Sequence, residues 1–247
     1  GPVAVESGKY NMVIDSEVAS RLVTPVLNAL GGYSLQQKNS FLLDSLGKKI
    51  FPEWLNIWDK PVSVGETGSR LFDSEGVATS ETPIIEKGVV KEYFVNTYMS
   101  RKMGVMPTVE DATRPVLLAC IAPSVACKVS STSSETSRIS VTEPFTSVAE
   151  LVEATCGKTE LMRLVGDGIL VTGFNGGNSN SATGDFSFGV EGFLFKDGKV
   201  VHPVREMLIT GNLLTLWNNL LAAGNDARFC KSKLIPTLAF GNVDFSA

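Results

Sequence analysis

The sequence predicts an α+β fold: a large, mainly antiparallel β-sheet core with a few helices near the start and the end. Three observations predict it. Helix and strand signals do not alternate in the regular way a doubly wound sheet requires. Lys87-Gly88 and Asp197-Gly198 each lie between apolar, strand-like runs, as tight hairpin turns do. The clearest helical periodicities fall in the first fifth of the chain and again after Asn212.

Taken in order, Tyr10-Asn11-Met12-Val13-Ile14 reads as a short strand. Asp15 or Ser16 can then cap a helix with Val18, Leu22, Val26 and Ala29 on one face. Pro25 is expected to kink that helix, and Gly31-Gly32 to end it. A second helix is expected from Leu35 to Leu46, stopped by Gly47. Leu55–Asp59 alternates with period two, and Ile84–Glu86 with Val89–Lys91 forms the first hairpin. Pro115–Ile121 is apolar on both faces, as a central strand would be. Ser130–Ser140 reads as a mobile loop or an edge hairpin, and Ser147-x-x-Glu150 opens a short helix ending near Gly157. Ile169–Val171 is a strand, and Phe193–Val201 is the clearest hairpin. Asn212 caps a helix through Leu213, Leu216, Trp217, Leu220 and Leu221 to Gly224, and Thr237–Phe240 is the last strand.

Composition excludes several functions. Of 247 residues, 43% are hydrophobic and 19% charged, so the chain has the means to fold around a core. Its 26 acidic and 22 basic residues give a net charge of −4 without a run of either sign. A nucleic-acid binder normally shows a basic stripe, so no direct contact with nucleic acid is expected. The longest apolar run, Val116–Ala122, is far short of the ~20 residues that cross a bilayer, so no membrane is expected. No basic-then-apolar leader opens the chain, which points to the cytoplasm. Gly1-Pro2 reads as a tag-removal scar, and residues 3–247 as a single domain. Cys120, Cys127, Cys156 and Cys230 form no CxxC pair and read as reduced thiols.

There is one histidine, His202. An HExxH zinc helix is therefore impossible, and a Ser-His-Asp relay would depend on His202 alone. Alternation places His202 on the face of Val200 and Val204, in a structural or partner-facing position. Asp73 and Glu75 lie in a conspicuous loop; they read as turn-forming carboxylates, with an acid/base pair as the alternative. Asp185 and Asn212 read as turn and cap residues. The stretch Gly173–Asn180, with Asn175, Gly176 and Gly177, reads as a surface loop or as the lining of a groove for an extended peptide.

Thr183-Gly184-Asp185-Phe186-Ser187, followed by Gly189 and Gly192-Phe193, resembles the TGDFS-x-G-x-x-G-F block of the TldD/PmbA family. The resemblance continues through Asp197-Gly198, Pro203-Val204, Glu206, Gly211-Asn212-Leu213 and Gly224-Asn225-Asp226. Upstream, Ser40–Gly47, Phe72–Thr79 and Ser100–Gly104 are similar to FLLDxLG, FDxEGVAT and SARKLG of the TldE (PmbA) branch, historically called modulators of DNA gyrase. The resemblance covers nearly the whole chain and implies the family's carboxyl-terminal domain, without the amino-terminal α/β domain. It also implies a division of labour. TldD-type subunits bind zinc through two helix histidines and a distant cysteine, whereas TldE-type subunits lack those ligands and pair with TldD in a cytoplasmic peptide-degrading heterodimer.

In the corresponding early helix, Leu22–Gly31, there is neither histidine nor glutamate, and the surroundings of Cys230 do not match the ligand cysteine. The expectation is a non-catalytic subunit that binds no cofactor itself, with zinc held by a TldD-type partner. Its expected partners are that subunit and an unfolded peptide, with self-association as a further option. Two other readings stay open: an independent hydrolase using Asp73, Glu75 or Cys230 with a recruited metal, and a pure interaction module acting on gyrase or a toxin–antitoxin system.

Overall fold

The structure, a computed structural model, describes residues 1–126 and 157–247. The expected loop at 130–140, the helix opened by Ser147, and Cys127 and Cys156 lie outside the described residues.

The dominant element is a seven-stranded sheet that closes on itself. Strand β1 (Gly8–Ile14) is followed by helices α1 (Ser20–Ala29) and α2 (Gly32–Gln36). Next come the short strands β2 (Ile57–Asp59), β3 (Thr82–Glu86) and β4 (Val89–Val90), helix α3 (Thr97–Met103), and strands β5 (Pro115–Leu117) and β6 (Cys120–Ile121). After helix α4 (Lys158–Val165), three long strands run as a meander: β7 (Gly168–Ser179), β8 (Asp185–Lys196) and β9 (Lys199–Asn212). Helix α5 (Leu213–Asn218), β10 (Leu220–Ala223) and β11 (Leu238–Ser246) complete the chain.

The main sheet runs β1-β7-β8-β9-β11-β10-β6, and β1 also pairs with β11. Strand β1 takes β7 in parallel on one side, Met12 opposite Ile169. It takes β11 antiparallel on the other, Ile14 opposite Leu238 and Gly8 opposite Phe245. Because β9 also pairs with β11, Thr210 opposite Asp244, five strands form a closed ring. Closure removes most of the exposed edges that an open sheet must protect. Alternation fills the interior: Phe186, Phe188 and Val190 of β8 point inward while Ser187 and Glu191 point out. The rings of Phe186 and Phe188 stack at 5.3 Å, and Trp217 meets Phe240 edge-on at 5.3 Å.

Helix α1 covers this core with Leu22, Val23, Val26, Leu27 and Ala29 and continues through Pro25 without a break. The smaller sheet, β4-β3-β2-β5, is antiparallel throughout. Its β3–β4 turn places Lys87 at φ 49° and Gly88 at φ 76°, the left-handed pair a two-residue hairpin needs. Asp197 (φ 48°) and Gly198 (φ 69°) do the same between β8 and β9.

Several elements depart from the pattern read in the sequence. The helix expected from Leu35 to Leu46 ends at Gln36. Side chains compete with the helical ladder there: the Ser40 hydroxyl donates to the Ala29 carbonyl at 2.6 Å, and that of Ser45 to the Leu42 carbonyl at 2.6 Å. Pro115–Ile121 is two strands rather than one, because the chain leaves the small sheet at Leu117 and joins the large one at Cys120. The last helix stops at Asn218, and Leu220–Ala223 becomes a strand held between β11 and β6. Pairing on both sides outweighs the helical periodicity of Leu220 and Leu221. Gly157 precedes a helix, α4, that the sequence reading did not anticipate.

Candidate functional site

Asp73 is buried in the turn between Phe72 and Ala78, which form a bridge across it. Its Oδ1 accepts the N–H groups of Glu75 (3.0 Å) and Val77 (2.8 Å), and its Oδ2 accepts that of Glu110 (3.1 Å). Burial pushes this carboxyl upward, but the three N–H donors and the nearby Arg70 outweigh it and hold it below the usual range. Glu75 turns elsewhere, its Oε2 accepting the Thr97 N–H at 2.8 Å where α3 begins. The two carboxylates thus serve different backbone segments.

Asp185 and Asn212 are brought together although they are 27 positions apart. The Asn212 carboxamide donates to Asp185 Oδ1 at 3.0 Å and to the Thr183 carbonyl at 2.8 Å, while its Oδ1 accepts the Leu214 N–H at 3.0 Å. Thr183 donates to Asp185 Oδ2 at 2.7 Å. The hydrogen bonds from Asn212 and Thr183 keep the Asp185 carboxyl below its ordinary range. This knot ties the start of β8 to the end of β9 and caps α5.

Asn175, Gly176 and Gly177 do not form a loop; they lie in the outer half of β7, paired with β8. Glycine is required on this strand pair by close approach: a Cβ on Gly177 would lie 2.1 Å from the Ser187 carbonyl oxygen. On its other side β7 pairs with β1 only at Ile169–Val171. From Gly173 to Ser179 that side has no strand partner among the described residues. Arg21 of α1 reaches it, donating to the Gly177 carbonyl at 3.2 Å, with its guanidinium 5.3 Å from the centre of the Phe188 ring.

Possible metal donors are dispersed. His202 lies opposite Leu194, its Nδ1 3.3 Å from the carbonyl oxygen of Pro203. The ladder slips between Val200 and His202, so the alternation that would put them on one face does not hold. Cys230 is exposed, and Cys120 is buried with its thiol pushed up to about 12 by desolvation. Helix α1 offers Ser20, Arg21, Thr24 and Asn28 as its polar residues, with no histidine, cysteine or carboxylate. Among the described residues, no three His, Cys, Asp or Glu side chains stand close enough to hold a metal ion. Among the described residues, the donors do not fit a zinc centre.

Sequence reading missed a buried polar set beneath the small sheet. Asp59 is 3% exposed; its Oδ2 accepts the Thr113 N–H at 2.9 Å and its Oδ1 the Arg114 N–H at 2.6 Å. Burial raises its pKa despite those donors. Arg114, also buried, pairs with Glu66, and Arg70 pairs with Asp111. The available signal was an acid within the alternating run Leu55–Asp59, in a position where an apolar residue would be expected.

The family profile described as "PmbA/TldA metallopeptidase C-terminal domain" matches residues 7–247. A Haemophilus influenzae protein named metalloprotease PmbA homolog is 31% identical over 225 residues, covering 91% of this chain and 43% of that protein. A crystal structure from Bacteroides thetaiotaomicron, of a candidate modulator of DNA gyrase, superposes with a TM-score of 0.83 at 45% identity, covering 100% of this chain and 49% of the other. TldE from Thermococcus kodakarensis shares the fold, with a TM-score of 0.75 at 19% identity, covering 100% of this chain and 52% of that one. The chain thus spans about half the length of these relatives. With the profile running through the closed sheet, α1 and the Asp185–Asn212 knot, the chain belongs to the PmbA/TldD family, as its metallopeptidase C-terminal domain.

Proposed function

We propose that this domain is a non-catalytic, TldE/PmbA-type element that holds an extended peptide for a TldD-type zinc peptidase and works beside it in the cytoplasm. The observation that carries the reading is the meeting of α1, which has no histidine, cysteine or carboxylate, with the side of β7 that has no strand partner among the described residues. Where a zinc peptidase of this kind would present imidazole and carboxylate, α1 presents Arg21 toward the Gly177 carbonyl. Apart from the Gly177 carbonyl held by Arg21, the main-chain groups on that side between Gly173 and Ser179 can add a strand of almost any sequence, because backbone hydrogen bonds supply the affinity. No helix among the described residues is long and apolar enough to cross a membrane.

Zinc supplied by the partner would polarise the scissile carbonyl and activate water. This chain's own residues would order the peptide backbone along β7 and keep it extended. The test is to assay an unstructured peptide with this chain alone, with a TldD-type protein alone, and with both, alongside elemental analysis of each for zinc. Cleavage that rises when the two are mixed, with zinc in the TldD-type protein only, is the expected result. Hydrolysis by this chain alone, or a stoichiometric metal in it, would overturn the reading.

A further inference from the structure

The outer end of β7 is guarded on its side away from β8. Asn180 donates to the Asp185 carbonyl at 2.7 Å, and the register pairs Asn178 with Ser187 and Gly177 with Phe188. Antiparallel pairs alternate between bonded and non-bonded, so the main-chain groups of Gly177 and Ser179 turn away from β8. One group of each is met by a side chain. Arg21 donates to the Gly177 carbonyl at 3.2 Å, and the Ser179 N–H donates to Asn178 Oδ1 at 2.8 Å. A carbonyl and an N–H two residues apart are the pair that one residue of an added parallel strand bonds, and β1 already lies parallel to β7. A peptide pairing here must therefore move Arg21 and Asn178 aside.

Arg21 is exposed, in the first turn of α1, and its guanidinium lies 5.3 Å from the centre of the buried Phe188 ring. A guanidinium has five N–H donors in a planar fork, and the Gly177 carbonyl takes one, from Nη2. That carbonyl is a neutral acceptor. A carboxylate is charged and accepts two parallel N–H bonds, so exchanging the first for the second strengthens the contact. Glu17, the acid four positions before Arg21, pairs with Arg228 at 2.6 Å.

We propose that the outer β7 edge prefers a peptide carrying a carboxylate beside Gly177, with Arg21 leaving the carbonyl to bind it while a peptide N–H takes its place. The proposal rests on the peptide-holding reading above and names its substrate class. A net charge of −4 works against acidic peptides over the molecule as a whole, so a preference for them needs a local cation.

The test measures binding of the full chain to fluorescent, unstructured peptides by anisotropy. The peptides are blocked at both ends and differ only in a central Glu, Gln or Lys; a further Gln peptide has a free carboxyl end. Wild-type protein binds the Glu peptide about tenfold more tightly than the blocked Gln peptide and the Lys peptide least, with the preference fading as salt rises. A gain for the free-ended Gln peptide instead assigns the carboxylate to the chain terminus. Arg21→Ala removes the preference and Arg21→Glu turns it toward Lys, with both variants folded by circular dichroism. Equal binding of all peptides by wild type, or a Glu preference that survives Arg21→Ala, overturns this inference and leaves the peptide-holding reading standing. Wild-type protein that binds none of them overturns both.

Discussion

The β7–β8–β9 meander and the small β4-β3-β2-β5 sheet solve the same problem by different means. The meander strands are 12, 12 and 14 residues long and carry alternating inward phenylalanines, valines and isoleucines. The small sheet has strands of two to five residues, too short to bury much by themselves. Its surroundings are held by carboxylates turned inward onto backbone N–H groups, Asp59 on Thr113 and Arg114, and Asp73 on Val77, Glu110 and Glu75. One region is set by close packing of backbone and apolar side chains, the other by buried carboxylates that accept backbone N–H groups. The first should therefore be most sensitive to added atoms, the second to pH and to loss of a single oxygen.

The largest expected effect is on the meander. A Cβ on Gly192 would lie 1.8 Å from the Leu170 carbonyl oxygen, so Gly192→Ala must part β7 from β8. A loss of about 3 kcal/mol or more is expected, read as a lower urea midpoint. A variant as stable as wild type would mean that backbone approach does not fix this pairing.

The next effect separates the two buried carboxylates by sign. Asp73 is held below its unfolded value of about 3.9, so its contribution is full above that pH and is lost as pH falls through the lower folded value. Asp73→Asn should cost about 1–3 kcal/mol at pH 7 and progressively less in acid. Asp59 is raised by burial, so its contribution is full below the unfolded value and is lost as pH rises through the folded one. The penalty of Asp59→Asn should accordingly shrink between pH 4 and pH 7. Urea unfolding of the Asp73 variant at and below pH 4, and of the Asp59 variant above it, checks the opposed slopes, and parallel slopes would break the distinction. The smallest effect is Asn212→Ala, which removes the α5 cap and should cost about 1 kcal/mol in thermal unfolding.

Both turn pairs, Lys87-Gly88 and Asp197-Gly198, were legible because positive φ at the second position is a local demand that the glycine of each pair meets. Asn212 as a cap was legible through another local demand, since its side-chain oxygen accepts the Leu214 N–H of the first turn. The β7 extension was not: Gly173–Ser179 has too few side chains to show a period, and it is a strand because β8 offers it a ladder. Helix α3 carried signals that went unused, with Asn96 accepting the Met99 N–H and Gly104 taking the left-handed cap. For the candidate site, the sequence named Asp73, Glu75, Asp185 and Asn212. It could not show that Asp185 and Asn212 share a hydrogen bond while Asp73 and Glu75 part company.

By itself the sequence determined the α+β class, the hairpins, the apolar faces and a donor-poor α1, because each follows from residue type at short spacing. Only the tertiary structure decided that the sheet closes through β1 and β11, that Leu220–Ala223 is strand rather than helix, and that the outer half of β7 has a strand partner on one side alone among the described residues. Those outcomes depend on which distant strand satisfies which backbone groups, and such competition is settled by the whole packed chain.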